Sequence, residues 1–161
     1  MESILIHCRC FEGISKELIP TKLRGKIKRE PLYGSYYLKT QNEDEKIDFD
    51  KFLSSVCKHE LQMVFNENLP SNLSSIAYFL ESKIDDQMAP LPIFEREFVK
   101  TGYAKKVIDF SEVTYFKNEI GQLWGFWEKY LKQDAEIEDF LILLDKAINC
   151  AIKMRNPICI F

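Results

Sequence analysis

Cysteine and histidine residues lie close together at two places in the chain. His7, Cys8 and Cys10 form the first group, and Cys57 and His59 form the second. Thiolate sulfur and imidazole nitrogen are the ligands of structural zinc sites. In such sites, however, the paired ligands are usually two to four residues apart on a turn. Here a single residue separates the members of each pair, so the spacing argues against zinc.

The predicted elements argue against a metal site as well. Helical spacing of apolar residues predicts a helix over residues 48–66. In that helix the side chains of Cys57 and His59 point about 200° apart, so they cannot hold one ion. The first two cysteines continue the apolar face of a predicted strand over 3–11, where free cysteine behaves as a small buried hydrophobe. We therefore expect Cys8, Cys10 and Cys150 to be buried and free, with no metal and no cofactor.

The sequence contains no motif that requires catalysis. It lacks G-x-S-x-G, H-E-x-x-H, a P-loop and G-x-G-x-x-G. A Cys–His nucleophile needs a thiolate stabilised by a nearby imidazole, and two histidines offer few such pairings. Enzymatic activity stays open, and the sequence favours a protein that is not an enzyme.

Alternating basic residues form the strongest local charge signal, at Lys22, Arg24, Lys26 and Lys28. A row of cations on one face could bind phosphates. It could also mark an edge strand whose lysines deter aggregation between sheets. No aromatic residues alternate with these cations and no basic tail flanks them, so we favour the edge-strand interpretation over nucleic-acid binding.

Acidic residues cluster at two places, and two aromatic residues of one predicted helix share an azimuth outside its apolar stripe. Acids in a first helical turn complement the helix dipole. They can also steer a cationic protein partner, and an exposed aromatic pair can anchor an interface. The predicted partner-binding residues are Glu43, Asp44, Glu45, Tyr115, Phe126, Asp134, Glu136, Glu138 and Asp139.

The elements that must position these residues divide the chain at about residue 40. Before it, two-residue alternation and aromatic content favour extended structure; after it, apolar residues recur at three and four. The predicted fold class is mostly α, with α+β as the alternative: a helical domain with a small β unit in the first forty residues. We expect residues 1–161 to form a single compact domain. Ser71 is the predicted N-cap of the next helix, and a further helix is predicted from about Ser111 to Lys132. Asp134 is the predicted N-cap of a last helix, which ends before Pro157, so residues 158–161 must pack against the domain or fray. Residues 93–103 are ambiguous between helix and strand, and 106–110 could be extended.

Cysteine usage and hydropathy predict a cytoplasmic protein. The five cysteines are scattered and odd in number, unlike those of a disulfide scaffold. The first residues do not resemble a signal peptide, and the longest apolar run is far shorter than the ~20 residues of a membrane span. We expect reduced thiols and no membrane partner.

Small acidic proteins without catalytic motifs are often binding proteins, which is an argument by analogy. Our leading hypothesis is a protein-binding inhibitor module, such as an immunity protein that blocks the active site of a bacterial toxin. The alternative is a small enzyme or ligand-binding protein with a pocket between the N-terminal β unit and the helices. A second alternative is nucleic-acid binding through the basic residues 22–28.

Overall fold

A computed structural model describes residues 2–100 and 106–161, and it confirms the mostly α fold with strands in the first forty residues. None of the helices it describes is long and apolar enough to cross a membrane. The helices are α1 (Glu43–Val56), α2 (Leu73–Gln87), α3 (Pro92–Phe94), α4 (Phe110–Phe126) and α5 (Ala135–Met154). The strands are β1 (Ser3–His7), β2 (Ile27–Arg29), β3 (Tyr36–Leu38), β4 (Met63–Asn68), β5 (Lys106–Ile108) and β6 (Ile158–Ile160).

Four of the strands form an antiparallel sheet in the order β4-β1-β6-β5. Strand β1 is an inner strand, and its Ile4 and Ile6 are fully buried. Strand β6 is the other inner strand, with Ile4 opposite Ile160. The sequence indicated only that residues 158–161 must pack against the domain or fray. Pairing on both sides explains why β6 is buried along its whole length.

The main core lies between this sheet and the helices. Helix α5 is the centre of it, because it contacts α4 and the strands β1, β4 and β6. Phe140 and Leu144 of α5 are almost fully buried there. The N-terminus of α5 is capped as the sequence predicted: the Asp134 carboxylate accepts a hydrogen bond from the Ile137 N–H at 3.1 Å.

A second, smaller core holds the N-terminal hairpin against α1. Strands β2 and β3 form a separate two-stranded sheet. Leu23, Phe49 and Phe52 are the buried residues of this core, and Phe11 packs on both phenylalanine rings. The hairpin therefore depends on α1 for burial of its apolar face.

The predicted helix over 48–66 is wrong at both ends. Helix α1 begins at Glu43, after the N-cap Asn42, and it ends at Val56. Residues 63–68 form β4, which pairs with β1. The apolar spacing in this stretch suits either period, and pairing with β1 selects the strand, which is a tertiary effect on a weak local preference.

Two other predicted boundaries change. The helix predicted to reach Lys132 ends as α4 at Phe126 and is followed by a wider π-helical turn over Trp127–Leu131. The ambiguous segment 93–103 begins as α3 and a π-helical turn over Glu95–Val99. Its residues 101–103 lie outside the described part of the chain.

Glu119 of α4 is a buried carboxylate that anchors the start of α3. Its oxygens accept hydrogen bonds from the backbone N–H groups of Ile93 at 3.1 Å and Phe94 at 2.8 Å. Burial raises the pKa of Glu119 above its ordinary value of 4.5, although these two donors oppose the shift. Glu95 raises the pKa further and Arg96 lowers it, both by smaller amounts.

We expect the Glu119→Gln variant to gain stability relative to the wild type as pH rises above 4.5. Because the folded-state pKa is raised, the folded protein keeps a proton that the unfolded chain has lost between the two pKa values. The contribution of Glu119 to the free energy of unfolding therefore falls as pH rises from the unfolded pKa to the folded pKa. The amide does not titrate. Urea unfolding of both proteins between pH 4.5 and 8 measures the difference. A stability difference between variant and wild type that stays constant across this range would contradict the prediction. So would a difference equal to that produced by Glu128→Gln, a substitution at an exposed site.

Candidate functional site: a cysteine and histidine cluster beside a groove

Four side chains from two distant parts of the sequence converge at the end of β1. They are Cys8, Cys10, Cys57 and His59, and their Sγ and imidazole nitrogen atoms all lie within 4.8 Å of one another. The Sγ atoms of Cys8 and Cys57 are 3.3 Å apart. The Nδ1 atom of His59 lies 3.3 Å from the Sγ of Cys10 and 3.6 Å from that of Cys57. All these cysteines are free thiols.

The thiols of Cys8 and Cys10 lie just after strand β1. The register of β1 against β4 shifts between Ile6 and His7. Beyond the shift, the Cys8 N–H donates to the Gln62 carbonyl at 2.7 Å, so this part of the chain stays next to the segment before β4. The Cys10 backbone N–H then hydrogen-bonds to the Cys8 thiol. This local fold holds both sulfur atoms on the same side of the turn.

Cys57 and His59 follow the end of α1. The Cys57 N–H donates to the Leu53 carbonyl at 2.8 Å, and Cys57 itself is extended, with φ of −124°. Leu61 and Gln62 have φ values of 47° and 62°, and this left-handed turn leads the chain into β4. Cys57 and His59 therefore lie outside the helix, and the 200° separation expected from the sequence does not apply.

The cluster is buried on one side only. Cys8 and Cys57 are buried, Cys10 is half-buried and His59 is exposed. Burial raises the pKa of the Cys8 thiol to about 12 and also raises the pKa of Cys10. The expectation of burial holds for Cys8, whereas Cys10 and Cys150 are half-buried.

A groove of about 610 Å³ opens between α1 and β3, next to the cluster. Its lining includes Leu53 and Asp50 of α1, Leu38 of β3 and the residues Leu61 and Gln62 of the left-handed turn. The groove therefore joins the N-terminal hairpin, the second core and the segment that carries Cys57 and His59.

Gln62 connects the hairpin to this turn. Its side-chain Nε2 donates to the Tyr36 carbonyl and its Oε1 accepts from the Tyr36 N–H, both at 2.8 Å. The primary amide thus pairs with the edge of β3 much as a neighbouring strand would. This pair of hydrogen bonds fixes the position of the groove wall.

Leu61 is the most exposed large apolar residue of the described chain, at 76%. It also has a positive φ, which is uncommon for a residue other than glycine and costs of order 1–3 kcal/mol. Tyr37 on β3 is exposed as well. An exposed leucine held in a strained turn beside a groove is a feature that packing within the chain does not explain.

The first acidic cluster opens α1, and only part of it faces solvent. The Glu45 carboxylate accepts hydrogen bonds from Lys26 and Thr40. Glu43 is exposed and pairs with Lys46, a groove residue, at 2.6 Å. Asp44 is exposed too. Glu43 therefore lies on the same face of α1 as the groove, one turn before it.

The second acidic cluster opens α5. Asp134 is engaged as the helix cap, and Glu136 accepts a hydrogen bond from the Asn72 side chain at 2.6 Å. Glu138 is half-buried and Asp139 is exposed. This cluster stabilises the start of α5, which is the structural alternative considered for it.

The predicted aromatic pair on α4 is not a joint surface anchor. Tyr115 is exposed, at 68%. Phe126 is buried, and its ring packs on Tyr130 with centroids 4.9 Å apart. Tyr130 follows Phe126 by four residues, the spacing at which side chains meet on one face of a helix, so its ring packs on Phe126.

The basic residues 22–28 are mostly engaged within the chain. Lys22 pairs with Asp48, and Lys26 pairs with Glu45. Arg24 donates to the backbone carbonyls of Ile19 and Glu17. The two ion pairs join the N-terminal unit to α1 and offset part of the positive charge that nucleic-acid binding would require.

Comparisons with protein-family models, curated proteins and solved structures found no match to this chain. In the sequence, the close spacing of Cys8 with Cys10 and of Cys57 with His59 argues against zinc, yet the structure brings all four side chains into one cluster. The signal that could have found it is the repeated spacing, Cys-x-Cys and Cys-x-His.

Proposed function

We propose that the protein acts by binding another protein, and that the groove between α1 and β3 is the binding surface. The observation that carries this proposal is Leu61, an exposed leucine held at positive φ on the rim of the groove. Backbone strain persists where the surrounding structure or a function requires it. A partner that covers Leu61 would bury its side chain and would offset the cost of exposing it.

The charges at the groove indicate the chemistry of the partner. Asp50 lines the groove, and Glu43 lies one turn before the groove residue Lys46 on the same face of α1. Lys46 offsets one of these two carboxylates. The surface therefore suits a protein with an apolar side chain that enters the groove and a basic residue beside it.

The narrower form of the proposal is an inhibitor in the cytoplasm, such as an immunity protein that blocks a toxin's active site. Its support is the analogy with small acidic binding proteins that lack catalytic motifs. A second candidate is a small-ligand protein. The position of the groove supports this candidate, because the groove lies between the N-terminal hairpin and a helix. Its volume of about 610 Å³ also supports it, because ligand-binding pockets span roughly 300–1,000 Å³.

Leu61→Asn is the sharpest variant, because asparagine tolerates positive φ better than leucine does. We expect Leu61→Asn to keep or gain stability, while affinity for the partner falls about 10-fold or more, as for an interface anchor. Leu18→Asn is the matched control, since Leu18 is exposed at 68% and does not line the groove.

The experiment captures partners on immobilised wild-type protein and measures the affinity of each for the two variants. A protein that loses affinity for Leu61→Asn, and not for Leu18→Asn, would support the proposal. Equal binding to both variants, or capture of only nucleic acid or small molecules, would overturn it. Neutralising Glu43 and Asp50 together should slow association and flatten its salt dependence, with less effect on dissociation.

A further inference from the structure

We propose that Cys8, Cys10, Cys57 and His59 bind one Zn²⁺ ion as a structural site. The convergence of three thiols and one imidazole is the observation behind this inference. It is independent of the protein-binding proposal, since it concerns the metal content of the chain alone.

The distances suit a tetrahedral zinc ion. Zinc lies about 2.3 Å from thiolate sulfur and about 2.0–2.1 Å from imidazole nitrogen, so its tetrahedral ligand atoms are roughly 3.5–3.8 Å apart. The Cys8–Cys57, Cys10–His59 and Cys57–His59 pairs are 3.3, 3.3 and 3.6 Å apart, and no pair in the cluster exceeds 4.8 Å. Shifts of a few tenths of an ångström, and about 1 Å for the widest pair, would complete the tetrahedron.

The donor set selects the metal and its role. Soft thiolate ligands favour zinc over magnesium or calcium, which prefer oxygen. Three cysteines and one histidine are a common structural zinc set, and four protein ligands leave no position for substrate or water. Burial as small hydrophobic side chains explains the three clustered thiols less well than metal binding does. Cys150, for comparison, packs against the apolar residues of the main core.

The surroundings of the cluster favour an anionic metal centre. Three thiolates and a neutral imidazole around Zn²⁺ carry one net negative charge. The Cys10 backbone N–H donates to the Cys8 sulfur, an arrangement that stabilises a thiolate. The residue within each ligand pair is basic, Arg9 in the first and Lys58 in the second. The buried Nε of Arg9 has no hydrogen-bond acceptor within residues 2–100 and 106–161.

The zinc ion would cross-link two parts of the fold. Cys8 and Cys10 follow β1 of the main sheet, and Cys57 and His59 follow α1 of the second core. On binding, each thiol releases its proton to solvent as its sulfur bonds to zinc, and no electron transfer occurs. The ion would hold the hairpin and α1 in place against the sheet, because binding to the folded state stabilises it.

The test uses the full chain, produced without a polyhistidine tag and refolded with reductant and zinc sulfate. We expect elemental analysis to find close to one zinc per chain after gel filtration. Cys10→Ser and His59→Ala should lose most of it. Cys10 is half-buried and His59 is exposed, so at least one variant should stay folded. Cys150→Ser is the matched control and should keep the metal.

Chelation should lower the melting temperature of the wild type and of Cys150→Ser, with little effect on the two ligand variants. Zinc-free wild-type protein after refolding would overturn the proposal. So would full zinc content in both ligand variants, iron in place of zinc, or a Cys8–Cys57 disulfide found by mass spectrometry. Since no partner is involved, these outcomes are separate from those of the binding experiment.

Discussion

Leu144→Ala should lower the free energy of unfolding by about 2–5 kcal/mol, the range of large-to-small changes in a core. Leu144 is 1% exposed at the centre of α5, the helix that packs on α4 and on the sheet. Truncation removes apolar contacts and leaves a cavity among well-packed neighbours. Urea denaturation followed by circular dichroism measures the loss.

Ile142→Ala is the control for Leu144→Ala. Ile142 lies two residues earlier on the same helix and is 36% exposed, so its truncation should cost clearly less. A loss below about 1 kcal/mol for Leu144→Ala, or a loss equal to that of the control, would contradict the assignment of α5 as the centre of the core.

Asn156→Ala should lower the free energy of unfolding by about 1–3 kcal/mol, the cost of leaving buried polar groups unpaired. Asn156 is fully buried after α5. Its Nδ2 donates to the His7 carbonyl at 2.7 Å, and its Oδ1 accepts from Arg29. Alanine removes both hydrogen bonds, and with them a link between β1, the N-terminal hairpin and the end of α5.

Thermal and urea unfolding of Asn156→Ala, beside Asn149→Ala, measure this effect. Asn149 is exposed on α5 and should tolerate the change, apart from differences in helix propensity. Equal stability of the two variants would show that the Asn156 hydrogen bonds are replaced by water at no cost.

The helical part of the fold was predictable because its signals are local. Apolar spacing identified α4 and α5, and Asp134 was recognised as an N-cap. The end of α1 was missed because no glycine or proline occurs between Val56 and β4. The turn there has Leu61 and Gln62 at positive φ, and neither residue type predicts such a conformation.

The candidate site was missed for a related reason. Cys8 and Cys57 are 49 residues apart and meet only because β1 pairs with β4. A sequence shows the residues of each pair, but the register of a long-range strand pairing depends on the whole core. Two observations argued against zinc, the single-residue spacing within each pair and the helix geometry assumed for Cys57 and His59, and the second fails because that helix ends at Val56.

The position of β6 has a consequence for synthesis on the ribosome. Ile4 of β1 pairs with Ile160, so β1 leaves the exit tunnel long before its inner neighbour is made. Until then β4 can cover one edge of β1 and the other edge stays open, which invites pairing with other chains. Closing so long a loop also costs entropy before any contact repays it. The nascent sheet therefore completes late, and until then the open edge of β1 is available for pairing with other chains.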